Sequence, residues 1–223
     1  GFTIFKNGLP VSYGGMWVFG NRTKVGFNVF EPYRGGESGY LLCQLLRVYK
    51  QLFNISYFEV EPFQFGADNE DAIASGAFWF YYRFGVRSVD KEICKQAELE
   101  QQKIKSRKNY RSSAKTLVGF TGGNIALNLG NSIPADVIQI STQVLSSIKK
   151  DWKNNYQQAR KQAVERFCKL VQLNINSLSA MEIKIMEDLA LWAMAMQVTN
   201  KQKLQLMKQM VFTSTADIYA YQD

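Results

Sequence analysis

Between Phe2 and Pro62 the hydrophobic period runs from two to a helical spacing and back to two, an order that confines this stretch to a sheet crossed by one helix. Phe2 to Lys6 alternates apolar and polar residues, and Asn7-Gly8 is a hairpin signal. Val11 to Phe19 resumes extended character, with Tyr13, Trp17 and Phe19 on one parity. Gly20-Asn21 turns the chain into Lys24 to Phe30, so three consecutive antiparallel strands are predicted. Asn28 to Tyr33 reads as a strand leaving the sheet. Arg34-Gly35-Gly36-Glu37-Ser38-Gly39 then forms a turn that opens onto a helix, with Leu41, Leu42, Leu45, Leu46, Tyr49, Leu52 and Phe53 on its apolar face. Period two returns from Ile55 to Pro62. Phe58 and Val60 fall on one face there, and Tyr57, Glu59 and Glu61 on the other.

Asp68-Asn69-Glu70-Asp71 offers capping groups and negative charge for a helix through Ala72, Ala77, Phe78 and Tyr81, closed near Gly85. After Val86 the texture is helical. Helices are predicted over residues 90–106, 135–149, 155–172, 180–198 and 201–211. Pro134 and Asp136 suit a first turn, and Ser179 with Glu182 has capping-box spacing. Met181, Met186, Met194 and Met196 suit flexible core filler. The organisation expected is an α/β domain over residues 1–89 and an all-α region over 90–223. With 223 residues, 46% of them hydrophobic, the chain can bury a core.

The sequence contains no histidine, which excludes Ser-His-Asp and Cys-His catalysis and any His-ligated metal built from this chain alone. Acid–base chemistry falls to carboxylates, Tyr, Lys, thiols or water. Cys43, Cys94 and Cys168 are odd in number and widely spaced, as reduced thiols of a cytoplasmic protein would be, and no metal site is expected. Residues 116–135 carry no charge, but their glycines and asparagines do not make a membrane span, and no signal peptide is read at the start. Residues 1–86 hold seven Lys+Arg and seven Asp+Glu, so the net +8 belongs to residues 87–223. Lys103, Lys105, Arg107, Lys108, Arg111 and Lys115 follow one another with no acid between Glu100 and Asp136. That run suits a nucleic acid, an acidic partner or a cofactor phosphate, and equally a solvated helix face.

The order strand, strand, Gly-rich turn, helix, strand, Asn, then a helix with Tyr81 four residues before Gly85 resembles the GNAT superfamily of acyl-CoA-dependent N-acyltransferases. The residues that carry it are the Asn7-Gly8 hairpin with Pro10 to Gly14, Val25 to Pro32 as the family's fourth strand, Arg34 to Gly39 as its pyrophosphate loop and Phe58 to Val60 as its fifth strand. Asn69 and the run Phe80 to Val86 complete it. The resemblance implies a GNAT-like mixed sheet with flanking helices and acetyl-CoA or another acyl-CoA as donor. Arg34, Gly35, Gly36, Ser38 and Gly39 would line the pyrophosphate, consistent with anion binding at a helix N-terminus. Val29 and Phe30 would flank the pantetheine arm, and Asn69 would assist in holding the cofactor. Tyr81 would protonate the leaving thiolate. Glu31, Glu59 or Glu61 would serve as base for a small-molecule or peptide amine, and the acidic side of the last strand would favour a cationic acceptor.

Three features depart from the family's pattern. Glu37 stands where a small residue belongs, and a carboxylate beside a pyrophosphate is repelled unless it points away or meets a cation. The spacing from Asn69 to Tyr81 is several residues long, as if an Ala74-Ser75-Gly76 turn were inserted. The family's first strand and first two helices have no counterpart before Phe2, so the sequence is read as a piece of a longer protein. Two other readings stand beside acyl transfer. One is a degenerate scaffold without cofactor binding, contacting an acidic partner or nucleic acid. The other is an aminoacyl-tRNA-dependent transferase of the Fem type, which shares the fold. A buried aromatic role for Tyr81 among Phe78, Trp79, Phe80 and Tyr82 likewise stands beside the catalytic one.

Overall fold

The computed structural model describes residues 1–134 and 136–222, which form two compact units, Gly1–Pro134 and Ala135–Asp223. The first is α/β. Its strands are β1 (Phe2–Lys6), β2 (Leu9–Phe19), β3 (Arg22–Val29), β4 (Tyr57–Val60), β5 (Arg87–Ser88) and β6 (Ile125–Asn128), in the sheet order β1-β2-β3-β4-β6-β5. The predicted meander of three antiparallel strands is present: β1 pairs β2 and β2 pairs β3. Asn7 (φ 52°) and Gly8 (φ 79°) both take the positive φ that a tight two-residue hairpin turn requires. β4 runs parallel to β3, as the intervening helix α1 (Ser38–Phe53) allows, and β6 is antiparallel to both β4 and β5.

Some predicted elements end or break elsewhere. β3 stops at Val29 instead of running on to Pro32, and Glu31–Tyr33 is a 3-10 turn with Pro32 in its opening positions, where the missing N–H costs nothing. The single helix expected between Asn69 and Gly85 is two, α2 (Glu70–Ser75) and α3 (Ala77–Tyr82). Gly76, at φ 67°, caps the first with left-handed backbone and starts the second at an angle. The extra length between Asn69 and Tyr81 is therefore a short helix. The boundary expected near residue 90 falls inside the first unit, because β6 hydrogen-bonds to β4 in the middle of the sheet and returns residues 91–134 to it.

Register fixes which side chains share a face. Val25 and Phe27 of β3, Phe58 and Val60 of β4 and Ile125 of β6 point to one side. They are buried with Leu42 and Leu45 of α1, Tyr81 and Tyr82 of α3, Ala97 of α4 (Lys91–Ser106) and Leu117 of α5 (Ala114–Gly119). Phe78 of α3 is the aromatic hub, within 6 Å of the ring centres of Phe65, Trp79, Tyr82 and Phe120. Each such pair contributes about 0.5–1.5 kcal/mol beyond area burial. The opposite face carries Tyr13, Trp17, Lys24, Tyr57 and Glu59.

The second unit is helical: α6 (Val137–Trp152), α7 (Tyr156–Val171), α8 (Ala180–Ala195), α9 (Lys201–Ala216) and α10 (Ile218–Gln222). The start of α6 was expected at residue 135, which lies outside the described residues. Asp136 with Gln139 and Ser179 with Glu182 form reciprocal capping boxes. Ala159 and Ala163 on α7 and Ala190 and Ala193 on α8 are buried, small enough for the helices to approach closely around Phe167, Met186, Leu204 and Val211. Of the four methionines expected as filler, Met186 is fully buried and Met194 packs on the core, whereas Met181 and Met196 are exposed. Among the described residues no helix is long and apolar enough to cross a membrane.

Candidate functional site

Only the start of β3 pairs with β4. The parallel register covers Arg22↔Tyr57, Thr23↔Phe58 and Lys24↔Glu59. Beyond it, β4 gives way at Pro62–Phe65 to a 3-10 turn, while β3 continues to Val29. Side chains stand in for the missing strand. Gln64 Oε1 accepts from the Phe27 N–H at 3.3 Å, and Arg34 Nε donates to the Val29 carbonyl at 3.1 Å. The flank of β3 is thus a half-open strand edge held by two flexible polar groups.

This edge leads into the Gly-rich turn. Gly35, at φ 102°, bends the chain, and the turn closes with Ser38 N–H donating to the Gly35 carbonyl at 2.8 Å and Gly35 N–H donating to Ser38 Oγ at 3.2 Å. The N–H groups of Gly36, Glu37, Gly39 and Tyr40 meet no acceptor among the described residues. Glu37 is the N-cap by position but its side chain caps nothing; it pairs with Lys6 Nζ at 2.5 Å. A cleft of about 360 Å3 opens beside the turn, bordered by Lys6, Val11, Tyr33, Arg34, Gly36 and Leu41.

The glycines of the turn have different reasons. A Cβ on Gly36 would meet nothing, and its φ is not left-handed. A Cβ on Gly39 would lie 2.5 Å from Phe84 Cζ, so Gly39 lets α1 pack on the aromatic that follows α3. Ser38 is buried, while Arg34, Gly35 and Gly36 are exposed. Val29 packs against the core, and Phe30 is exposed with its ring 4.9 Å from that of Tyr13.

The other candidates are dispersed. Tyr81 is 3% exposed within the core, and burial pushes its phenol well above the ordinary tyrosine range. Its hydroxyl has no hydrogen-bond partner among the described residues. Glu59, expected on an acidic strand side, is buried and takes Arg22 Nη2 at 2.6 Å and Asn124 Nδ2 at 2.8 Å. Glu61 is exposed and pairs with Lys24 at 2.6 Å. Glu31 is exposed and forms no ion pair among the described residues. Asn69 caps α2, accepting from Ala72 N–H at 3.0 Å and donating to the Phe63 carbonyl at 3.0 Å. It borders a separate groove of about 860 Å3, next to Asp68, Glu70, Ala114 and Thr121.

Lys6, Arg22, Gln64 and Asn124 shape this region and were not among the residues singled out from sequence. Like parity of Arg22 on β3 and Glu59 on β4 is a usable signal, but only once the register is known. Gln64 gives none, since an amide accepting from a strand is indistinguishable in sequence from one facing water. Among the described residues no cluster of Cys, Asp and Glu could hold a metal ion. In comparisons with protein-family models, curated proteins and solved structures, nothing matches this chain.

Proposed function

We infer that the first unit is a GNAT-like domain that binds acyl-CoA and transfers the acyl group directly to an amine. The observation that carries this reading is the half-open edge of β3, which runs straight into four unmet backbone N–H groups at the start of α1. An extended arm beside Val25 to Val29 would take the backbone groups now held by Gln64 and Arg34. Its diphosphate would then meet the amides of Gly36 to Tyr40, where the helix dipole also favours negative charge. Glu37, the residue that departs from the family pattern, is neutralised by Lys6, which supports an anion beside it.

In this mechanism the amine nitrogen attacks the thioester carbonyl, a C–N bond forms and the C–S bond breaks. The amine proton passes to a carboxylate directly or through water, and the departing thiolate takes a proton from Tyr81. With Glu59 held by Arg22 and Asn124, and Glu61 by Lys24, Glu31 is the carboxylate assigned as base. Burial keeps Tyr81 protonated at neutral pH, and its hydroxyl makes no hydrogen bond among the described residues, which leaves it available to the leaving sulfur. Calorimetric titration of CoA and acetyl-CoA at low salt tests the reading. Saturable binding is expected, and Gly36→Glu should abolish it with the fold intact, because nothing lies within reach of a Cβ there. A folded protein that takes up neither ligand overturns the proposal and leaves the scaffold reading.

A further inference from the structure

We propose that the loop joining α4 to α5, together with the end of α4, is a docking surface for the phosphodiester backbone of single-stranded nucleic acid. The proposal is independent of acyl-CoA binding. Lys103, Lys105, Arg107, Lys108, Arg111 and Lys115 are all exposed, and among the described residues only Lys103 of the six pairs with a carboxylate, Glu100 at 3.0 Å. Lys95 pairs with Glu92 and Arg160 with Glu187, whereas Lys149, Lys150, Lys161 and Lys169 meet no carboxylate among the described residues, so the lack of pairing does not by itself mark the run. What marks this segment is six cations in succession with no acid between Glu100 and Asp136.

The loop is also built to hold its charges in place. Glu100, 3% exposed, accepts from Tyr110 Oη at 2.7 Å, and Trp79 Nε1 donates to Ser112 Oγ at 3.0 Å. Burial alone would raise the Glu100 pKa, but hydrogen bonds from Tyr110, Lys103 and Ser112 outweigh it and hold the carboxyl below its usual range, so the anchor stays ionised at neutral pH. Asn109, at φ 65°, and the Tyr110 N–H bond to the Arg107 carbonyl fix the turn between these anchors. Ser113 caps α5 through Thr116 N–H. Ordering the loop in advance removes a cost that binding would otherwise bear.

Local stability does not explain the charge. Lys103 and Lys105 sit in the last turn of α4, where the helix dipole favours cations, but Lys115 sits in the first turn of α5, where it disfavours them and no acid offsets it. Tyr110 lies between Arg107 and Arg111, with the Arg107 guanidinium 5.9 Å from its ring centre. Cations interleaved with an aromatic are what a single-strand track uses.

The test is fluorescence anisotropy of a labelled oligothymidylate of about 20 nucleotides, longer than one binding module's footprint, with the full chain across a salt series. Engagement of four or five phosphates predicts a slope of log K on log salt of about −3. The triple variant Lys108→Gln, Arg111→Gln, Lys115→Gln should flatten that slope by about 2 and weaken binding at least about tenfold at low salt. All three side chains are exposed and without ion pairs among the described residues, so thermal melts should match the parent. The control triple Lys149→Gln, Lys150→Gln, Lys153→Gln removes the same charge from the other unit and should leave the slope near the parent value. No binding at low salt, or equal losses in both triples, overturns the proposal. So does competition by polyglutamate as effective as by unlabelled oligonucleotide, which would assign the surface to an acidic protein.

Discussion

Arg22 Nη2 and Glu59 Oε2 lie 2.6 Å apart across the β3–β4 pair, with both side chains less than a tenth exposed. Arg22 also donates to the Pro134 carbonyl at 3.0 Å and stacks over Tyr57, while Asn124 satisfies the other carboxylate oxygen. Arg22 keeps other partners, so removing Glu59 takes from it one buried carboxylate and takes from Asn124 Nδ2 its acceptor. Glu59→Ala should therefore lower unfolding free energy by about 1–3 kcal/mol in urea titrations. The apolar pair Arg22→Met with Glu59→Leu should cost much less than the two single losses added together. A Glu59→Ala protein of parental stability would show that the pair does not hold the strands.

Gly36 and Gly39 make opposite predictions three residues apart. Gly39→Ala drives a methyl to within 2.5 Å of the Phe84 ring and should destabilise by about 1–3 kcal/mol, with Phe84→Leu restoring part of the loss. Gly36→Ala meets nothing and should change stability by less than about 0.5 kcal/mol. Chemical denaturation of the two variants and of the Gly39→Ala, Phe84→Leu double variant separates packing from loop flexibility.

The elements legible in the sequence are those whose own period is long. Residues 2–30 alternate over three runs joined by turn signals, and α1 repeats its apolar residues over four turns, so both stood out before any contact was known. β5 and β6 did not, because Arg87–Ser88 and Ile125–Asn128 are too short to show a period, and missing them misplaced the boundary near residue 90. The break at Gly76 was visible as surplus spacing but not as two helices. At the site, the Gly-rich turn was legible from its glycines and the strand before it. The fates of Glu59 and Glu61 were not, since a strand's parity tells which residues share a face but not which of the neighbouring strands brings a cation.

Burial of Tyr81 makes alkaline stability depend on it. Its folded pKa is raised above the unfolded value near 10, so its contribution is full below that pH and is lost as pH rises through and beyond it. Tyr81→Phe removes the ionisable group together with a hydroxyl that makes no hydrogen bond among the described residues. The variant should be at least as stable as the parent at pH 7, and its stability should fall less steeply above about pH 10. Melting temperatures of parent and variant across that range check the sign. In an acyl-transfer assay the same variant should lose turnover, which a purely structural phenol would not cause.

The Lys6–Glu37 pair is exposed on both sides, so breaking it should change stability by no more than about 1 kcal/mol. Its effect on an anion at the turn should be larger and of predictable sign. Removing the cation exposes the Glu37 carboxylate to the ligand's phosphates, and removing the carboxylate frees Lys6 to face them. With charges about 6 Å apart in a solvent-like dielectric, each change is on the order of 0.7 kcal/mol, about threefold in affinity. CoA titrations should therefore give Lys6→Gln the weakest binding, the parent an intermediate value and Glu37→Gln the tightest. The double variant should return close to the parent, because the ligand then meets neither charge. An order in which Glu37→Gln binds no better than the parent would place the diphosphate away from this end of α1.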